Sequence, residues 1–426
     1  MLGAAAAGAA SAAAGCTPVR RDGGPGAEQP APALDPASWE SVRAQFAAQP
    51  GEAHLARYVF ASHPAAVRAA VERHRAGLDR DAVGYLHAHE ERLDAAVAAA
   101  AAAYLGTRAD QVAFTDSTTM GLGLLYAGLA LRPGEEIVTT EHDFYATHES
   151  LRLRARRDGA TVRRIRLYDD PARATAAAMV AAVAAGVTPR TRILALTWVH
   201  SSTGVRLPVA ELAEAARARS RRVLVCVDGV HGFGAEDAGP DDLRCDFLVS
   251  GTHKWLFGPR GTGVVWGSAA GWHAYTPVIP TFDRRGFGGW LGFAGAGPPP
   301  GPAATPGGYH SFEHRWALAE AFDLHQRIGR ARVAARTREL AAALREGLAG
   351  LRGLRLVTPA DPGLSAGIVC CEVPGVPVGE AVARLAAHRV VATATPYQPS
   401  YLRFGTTMLN TAEDVEAALR AVRTLL

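Results

Sequence analysis

Between residues 112 and 266 the chain alternates short apolar, β-branched runs with helical stretches, and most of the apolar runs end in a cluster of polar residues. The expected strands are Val112–Phe114, Ile137–Thr140, Thr161–Leu167, Ile193–Val199, Val223–Asp228, Phe247–Ser250 and Gly263–Trp266. Helices are expected over Met120–Leu131, Ser150–Asp158 and Val209–Arg219. Strands that alternate with helices imply an α/β fold with a mostly parallel sheet covered on both faces. Ligands in such sheets bind beyond the carboxyl ends of the strands. Five polar clusters fall there: Asp116–Thr119, Glu141–Tyr145, His200–Thr203, Asp228–His231 and Ser250–Lys254. One pocket could gather all five.

The flanking segments complete the outline. Pro64–Leu105 is alanine-rich and helical. Gly286–Gly308 is rich in glycine and proline and reads as an irregular connection or lid. His314–Leu351 is a long helical region bridging to a smaller C-terminal α/β domain that ends in a helix over Ala412–Leu426. The expected organisation is a leader over 1–36, a large domain over 37–310, and a linking helix with the small domain over 311–426. The leader is either disordered or the remnant of an export signal. Ala13-Ala14-Gly15-Cys16 resembles a lipoprotein cleavage site but lacks a basic n-region, so a cytoplasmic and an exported protein both stay open.

Composition narrows the partners. With a net charge of +4 and no dense basic block, nothing points to nucleic acid. No apolar run is long enough to span a membrane. The five cysteines form neither a CxxC pair nor a disulfide framework.

Among the 45 basic residues counted as Lys+Arg, Lys254 is the only lysine. Where arginine has replaced lysine everywhere else, the surviving lysine either marks chemistry that arginine cannot do or survived by chance on the surface. A guanidinium stays protonated, whereas a desolvated amine can lose its proton and attack a carbonyl. Ser117-Thr118-Thr119, between strand and helix, offers hydroxyls and free N–H groups to a phosphate, or is an ordinary N-cap. Asp228 could pair with a cationic ring nitrogen, bind a metal, or be a solvated turn residue. His142 could stack on a planar cofactor, act as an acid–base group, or be structural. His87 and His89 form an HxH pair without an evident third ligand.

Together these pieces resemble fold-type I, pyridoxal-phosphate-dependent enzymes of the class V aminotransferase group, which includes cysteine desulfurases and isopenicillin N epimerase-like proteins. The resemblance covers roughly residues 55–426. It rests on Val227-Asp228-Gly229-Val230-His231, Ser250-Gly251-Thr252-His253-Lys254-Trp255 with Gly258-Pro259-Arg260-Gly261, and Leu402-Arg403-Phe404-Gly405 followed by Asn410-Thr411-Ala412-Glu413. It implies that Lys254 holds pyridoxal 5'-phosphate as a Schiff base and then moves the substrate's α-proton. Asp228 would keep the ring nitrogen protonated, His142 would stack on the ring, and His231 would sit near its phenolic oxygen. Thr118, Thr119, Ser250 and His253, with help from Thr252, would bind the phosphate, and Arg403 would clamp the substrate carboxylate. A homodimer with shared active sites is implied, with His310 and Arg315 contacting substrate or the neighbour's phosphate.

One departure matters. Desulfurases need a mobile cysteine ahead of the carboxylate-binding arginine, and residues 388–402 contain none. The expected activity is therefore at the α-carbon of an amino acid or amine, through Schiff base and quinonoid, as an aminotransferase or epimerase-like enzyme. A lyase or oxidative decarboxylase, a non-catalytic cofactor-binding module, and a metal-dependent hydrolase using His142, His231 and Asp228 are the competing readings.

Overall fold

A computed structural model of the chain describes residues 32–47, 51–292, 295 and 297–426. The alanine- and glycine-rich run Met1–Gly15 and Cys16 lie outside the described residues.

Seven strands make the main sheet: β1 (Val112–Thr115), β2 (Glu136–Thr140), β3 (Thr161–Ile165), β4 (Thr191–Thr197), β5 (Leu224–Asp228), β6 (Phe247–Gly251) and β7 (Gly263–Gly267). Their order is β1-β7-β6-β5-β4-β2-β3. All run parallel except β7, which is antiparallel to both β1 and β6. Every strand but β3 is almost wholly buried, because helices cover both faces, and this is why these strands read as continuous apolar runs. Successive side chains still part to opposite faces. Val225 and Val227 join one apolar cluster, while Leu224 and Cys226 join the other. The edge strand β3 is half exposed and carries Arg163 and Arg164, charges that blunt pairing with another chain. Register pairs Thr197 with Asp228 and Asp228 with Val249, which brings the carboxyl ends of β4, β5 and β6 level.

The helices are α1 (Ala65–Arg80), α2 (Ala82–Leu105), α3 (Thr118–Gly128), α4 (Tyr145–Asp158), α5 (Ala176–Gly186), α6 (Val209–Arg219), α7 (Phe312–Ile328), α8 (Arg330–Ala349), α9 (Val378–Ala387) and α10 (Ala412–Arg423). Several differ from expectation for local reasons. The helical stretch from Pro64 breaks at Asp81, whose extended φ of −158° ends α1 while its carboxylate caps Gly84 N–H of α2. His314–Leu351 is two helices, because Gly329 between them has φ +94°. The segment Gly286–Gly308, expected to be irregular, belongs to a stretch with two short helices, Arg284–Trp290 capped by Asp283 and Pro300–Ala304 with proline in its first turn. Helix α5, capped by Thr175, was not anticipated from its nearly all-apolar sequence.

A second sheet, antiparallel, has strands β8 (Arg355–Leu356), β9 (Ile368–Glu372), β10 (Thr393–Ala394) and β11 (Leu402–Gly405) in the order β10-β11-β9-β8. Leu402 and Phe404 pack with Leu344, Leu385 and Val422 of α8, α9 and α10. The period-2 alternation therefore turns Arg403, between them, to the opposite face, where its guanidinium lies 5.6 Å from the Tyr58 ring centroid. Cys226, Cys245, Cys370 and Cys371 are free and buried, as small apolar residues.

Candidate active site

The expected polar clusters follow the carboxyl ends of β1, β2, β4, β5 and β6, and direct contacts join them. Ser117 caps α3 by accepting the Met120 N–H at 3.1 Å. Thr118 Oγ1 accepts the Gly251 N–H at 2.7 Å, tying the start of α3 to the end of β6. A Cβ on Gly251 would come within 2.9 Å of the His253 ring and 3.1 Å of Thr118 Oγ1, so a side chain there would push these two residues aside. Thr119 is exposed at the helix N-terminus, where unpaired N–H groups and the positive dipole end favour an anion.

Lys254 follows β6. Its Nζ lies 3.3 Å from His231 Nε2, and His231 Nδ1 accepts the indole N–H of Trp255 at 3.2 Å. Tyr58 closes this side, with its ring 4.9 Å from Trp255 and 5.8 Å from His231. Asp228 ends β5, is 2% exposed, and accepts the Val230 N–H at 3.1 Å. Burial pushes its carboxyl up to about 6, opposed by that hydrogen bond and by Lys254. Burial also brings the Lys254 amine down to about 8, with Arg403 adding to the shift and Asp228 opposing it. The amine is thus closer to the neutral, nucleophilic form than an exposed lysine would be.

His142 follows β2. Its ring stacks on Tyr168 with centroids 3.9 Å apart and 13° between planes, and its Nε2 is buried without a protein partner. Tyr168 is held by His200 Nδ1 at 2.8 Å and Thr203 Oγ1 at 2.9 Å. Arg403 donates from Nε to Thr393 Oγ1 and from Nη1 to the Ser201 carbonyl, both at 3.1 Å. These bonds fix the guanidinium and leave the rest of its fork for a ligand. Tyr397, on the loop before β11, bonds through its hydroxyl to Ser201 Oγ at 2.7 Å and packs edge-on to Phe144.

Other expected site residues make contacts of their own. Ser250 Oγ donates to the Gly251 carbonyl, and Thr252 pairs with Thr262, so both hydroxyls brace the loop around Lys254. His253 lies against Phe60, and burial lowers its pKa to about 4. His310 and Arg315 line a separate cavity of about 400 Å³ with Glu90, Glu91 and Asp94, where Arg315 lies over Phe114. Among the described residues neither bonds to Lys254, His231 or Arg403. His89 packs on Tyr85 beside Arg92, and no group of three or more potential metal ligands occurs among the described residues.

Tyr58, Tyr168, His200 and Tyr397 escaped the sequence reading as individual site residues. His200 lay in a polar cluster at a strand end, and Tyr397 is an aromatic in the polar loop before Arg403. Tyr58 gave no signal, since only the tertiary fold brings it to residues 231 and 403.

The model of the family described as Aminotransferase class-V matches residues 72–418. The chain belongs to that family. It is therefore a pyridoxal-phosphate-dependent enzyme. The isopenicillin N epimerase of Amycolatopsis lactamdurans is 33% identical over 64% of this chain and 69% of its own length. The isopenicillin N epimerase of Streptomyces clavuligerus is 30% identical, covering 74% and 80%. A probable cysteine desulfurase of Xylella fastidiosa is 28% identical over 76% and 78%. Among solved structures, the cysteine desulfurase CsdA of Escherichia coli superposes with a TM-score of 0.78 at 23% identity, covering 92% of this chain and 99% of that one. A variant of C-DES carrying glycine covalently linked to its pyridoxal phosphate gives 0.79 at 21% identity, covering 89% and 98%. These likenesses establish the fold-type I architecture.

Proposed function

We propose that this enzyme removes the α-proton of an amino acid and returns a proton to the same carbon, an epimerase-like reaction at a site shared within a homodimer. The observation that carries the reading is the half-buried Lys254 grouped with buried His231, Asp228 and Arg403: one titratable amine, one imidazole, one carboxylate and one fixed guanidinium around a common space. The donor set fits pyridoxal phosphate. The open N-terminus of α3 with Thr118 and Thr119 suits the phosphate, the unpartnered His142 imidazole suits a polar planar ring, and Asp228 suits a protonated ring nitrogen. When bound, the cofactor supplies an electron sink for charge developing at the neighbouring carbon.

The chain's own residues do the rest. Lys254 Nζ, with its lowered pKa, takes the α-proton and holds it for return. Asp228 keeps a proton on a ring nitrogen by placing a carboxylate beside it in a water-poor site. Arg403 orients a substrate carboxylate, and the aromatic walls of Tyr58, Trp255, Phe144 and Tyr397 exclude water. Tyr397, anchored on Ser201, lies on the loop where a desulfurase would need its cysteine, which supports α-carbon chemistry over sulfur transfer. The two isopenicillin N epimerases among the relatives support the epimerase outcome over transamination. The exposed aromatics Phe282, Phe287, Trp290 and Tyr309 suit a surface covered by a second copy.

The test is α-hydrogen exchange. The reconstituted enzyme is incubated in D₂O with single L-amino acids and followed by proton NMR and chiral chromatography. Deuterium should enter at Cα with loss of optical purity and without accumulation of a keto acid. Keto acid appearing with stoichiometric amino transfer would replace this reading by transamination, and released sulfide by a lyase. Arg403→Ala should raise KM for exchange by about 10- to 100-fold, the range for losing hydrogen bonds to a charged group. Arg403→Lys should restore only part of it, since an ammonium lacks the planar fork.

A further inference from the structure

The indole N–H of Trp255 is aimed at His231 Nδ1 at 3.2 Å. An indole nitrogen donates and never accepts, so Nδ1 must offer its lone pair. His231 is 5% exposed, and its burial holds the ring neutral, with Lys254, Arg403 and His253 adding to the effect. A neutral imidazole has a single ring proton, and here it can sit only on Nε2. Nε2 faces Lys254 Nζ at 3.3 Å.

We propose that Trp255 is a positioning residue: it fixes the Nε2-protonated tautomer of His231 and so makes the Lys254 nitrogen a hydrogen-bond acceptor, which only the neutral amine can be. If Lys254 gains a proton, two N–H groups confront each other. Relief requires the other tautomer, with a hydrogen on Nδ1, and the indole blocks it. Trp255 is itself held firmly. It is 2% exposed and packs on Tyr58. Gly367 makes its room, since a Cβ there would come within 2.7 Å of the indole. The charged groups nearest Lys254 act in opposite senses, Asp228 favouring the ammonium and Arg403 opposing it. The relay from Trp255 through His231 adds directional opposition to the ammonium that neither charge supplies.

This deepens the α-carbon reading, but the measurement is made on the cofactor-free full chain, so its outcome does not depend on which reaction follows. The chain is expressed with lysine labelled with ¹³C at Cε, stripped of carbonyl compounds with hydroxylamine and dialysed. One lysine gives one resonance, and its pH titration reads Lys254 directly. Ring-¹⁵N histidine correlation spectra read the tautomer, with His231 assigned by its absence in His231→Gln. His231 should show the Nε2–H pattern in the unsubstituted chain. In Trp255→Phe it should shift toward Nδ1–H, and the Lys254 midpoint should rise by about one pH unit, the scale for a hydrogen bond gained by a charged group. In the His231→Leu background, where the side chain can neither accept nor donate, Trp255→Phe should no longer move that midpoint. An Nδ1–H pattern in the unsubstituted chain overturns the proposal. So does an unmoved Lys254 midpoint in folded Trp255→Phe, or an equal rise when His231 is already leucine. If Trp255→Phe does not fold, the tautomer in the unsubstituted chain decides.

Discussion

Lys254→Ala should lose α-hydrogen exchange by about ten-thousandfold or more, because under the proposed function one substitution removes both the amine that captures a carbonyl and the base that moves the proton. A positioned acid–base group alone contributes about 10²–10⁴. Lys254→Arg should be as inactive, since a guanidinium cannot give up its proton under any condition the fold survives. The fold itself should persist. Asp228, left without the amine beside it, can take up a proton rather than stay a buried charge, since burial already raises its carboxyl to about 6. A small primary amine added in solution should return part of the exchange to Lys254→Ala, while giving nothing to Lys254→Arg, whose side chain still fills the space. Unchanged exchange in Lys254→Ala would show that another group does this chemistry.

Asp228→Asn is the second large effect. The amide keeps an acceptor for the Val230 N–H and nearly the same shape, so the change isolates the charge. A hydrogen bond to a charged group contributes about 1.5–3 kcal/mol, or roughly one to two powers of ten in rate. Exchange in the reconstituted enzyme should fall by about that much with KM little changed. The cofactor-free chain should respond in the other direction. Burial raises the folded-state pKa of Asp228 from 3.8 to about 6. A group raised in this way stabilises the fold fully below its unfolded pKa, and that contribution is lost as pH rises through the folded value. Asn does not titrate. The thermal midpoint of Asp228→Asn minus that of the unsubstituted chain should therefore climb between about pH 4 and 6 and then level off. A difference that stays flat across that window would mean Asp228 does not titrate there.

What the sequence displayed follows from what physics writes into local order. The strands of the main sheet are apolar runs because they are buried on both faces, and those runs sit in the sequence as such. Lys254 stood out because every other long basic side chain is arginine. Asp228, His142 and Thr118 stood out because they recur at the carboxyl ends of strands that one pocket could gather, although a cap or a turn could explain each alone. Ser250 and Thr252 show the limit of that argument: hydroxyls in a tight loop bond to the nearest backbone or neighbour as readily as to a ligand. Tyr58 shows another. It comes to Arg403 because Gly405 lacks a side chain where the tyrosine ring passes, and a Cβ there would come within 2.1 Å of it. Such complementarity between distant positions leaves no periodic trace. The two short helices between Asp283 and Thr305 were hidden for the opposite reason, since their glycines and prolines dominate the local signal while the caps that start them are single residues.

The antiparallel strand β7 has a consequence for biosynthesis. In the sheet order β1 has no neighbour except β7, which is the last of the seven strands to leave the ribosome. Until β7 is made, β1 has no strand to pair with in the main sheet. The head of α3, which follows β1, therefore lacks its strand anchor beside the Gly251 amide until residues 263–267 are made. A nascent chain stalled before Gly263 would carry Asp228, His231 and Lys254 without the sheet-anchored head of α3 beside them, so the complete site belongs to a chain that has passed β7.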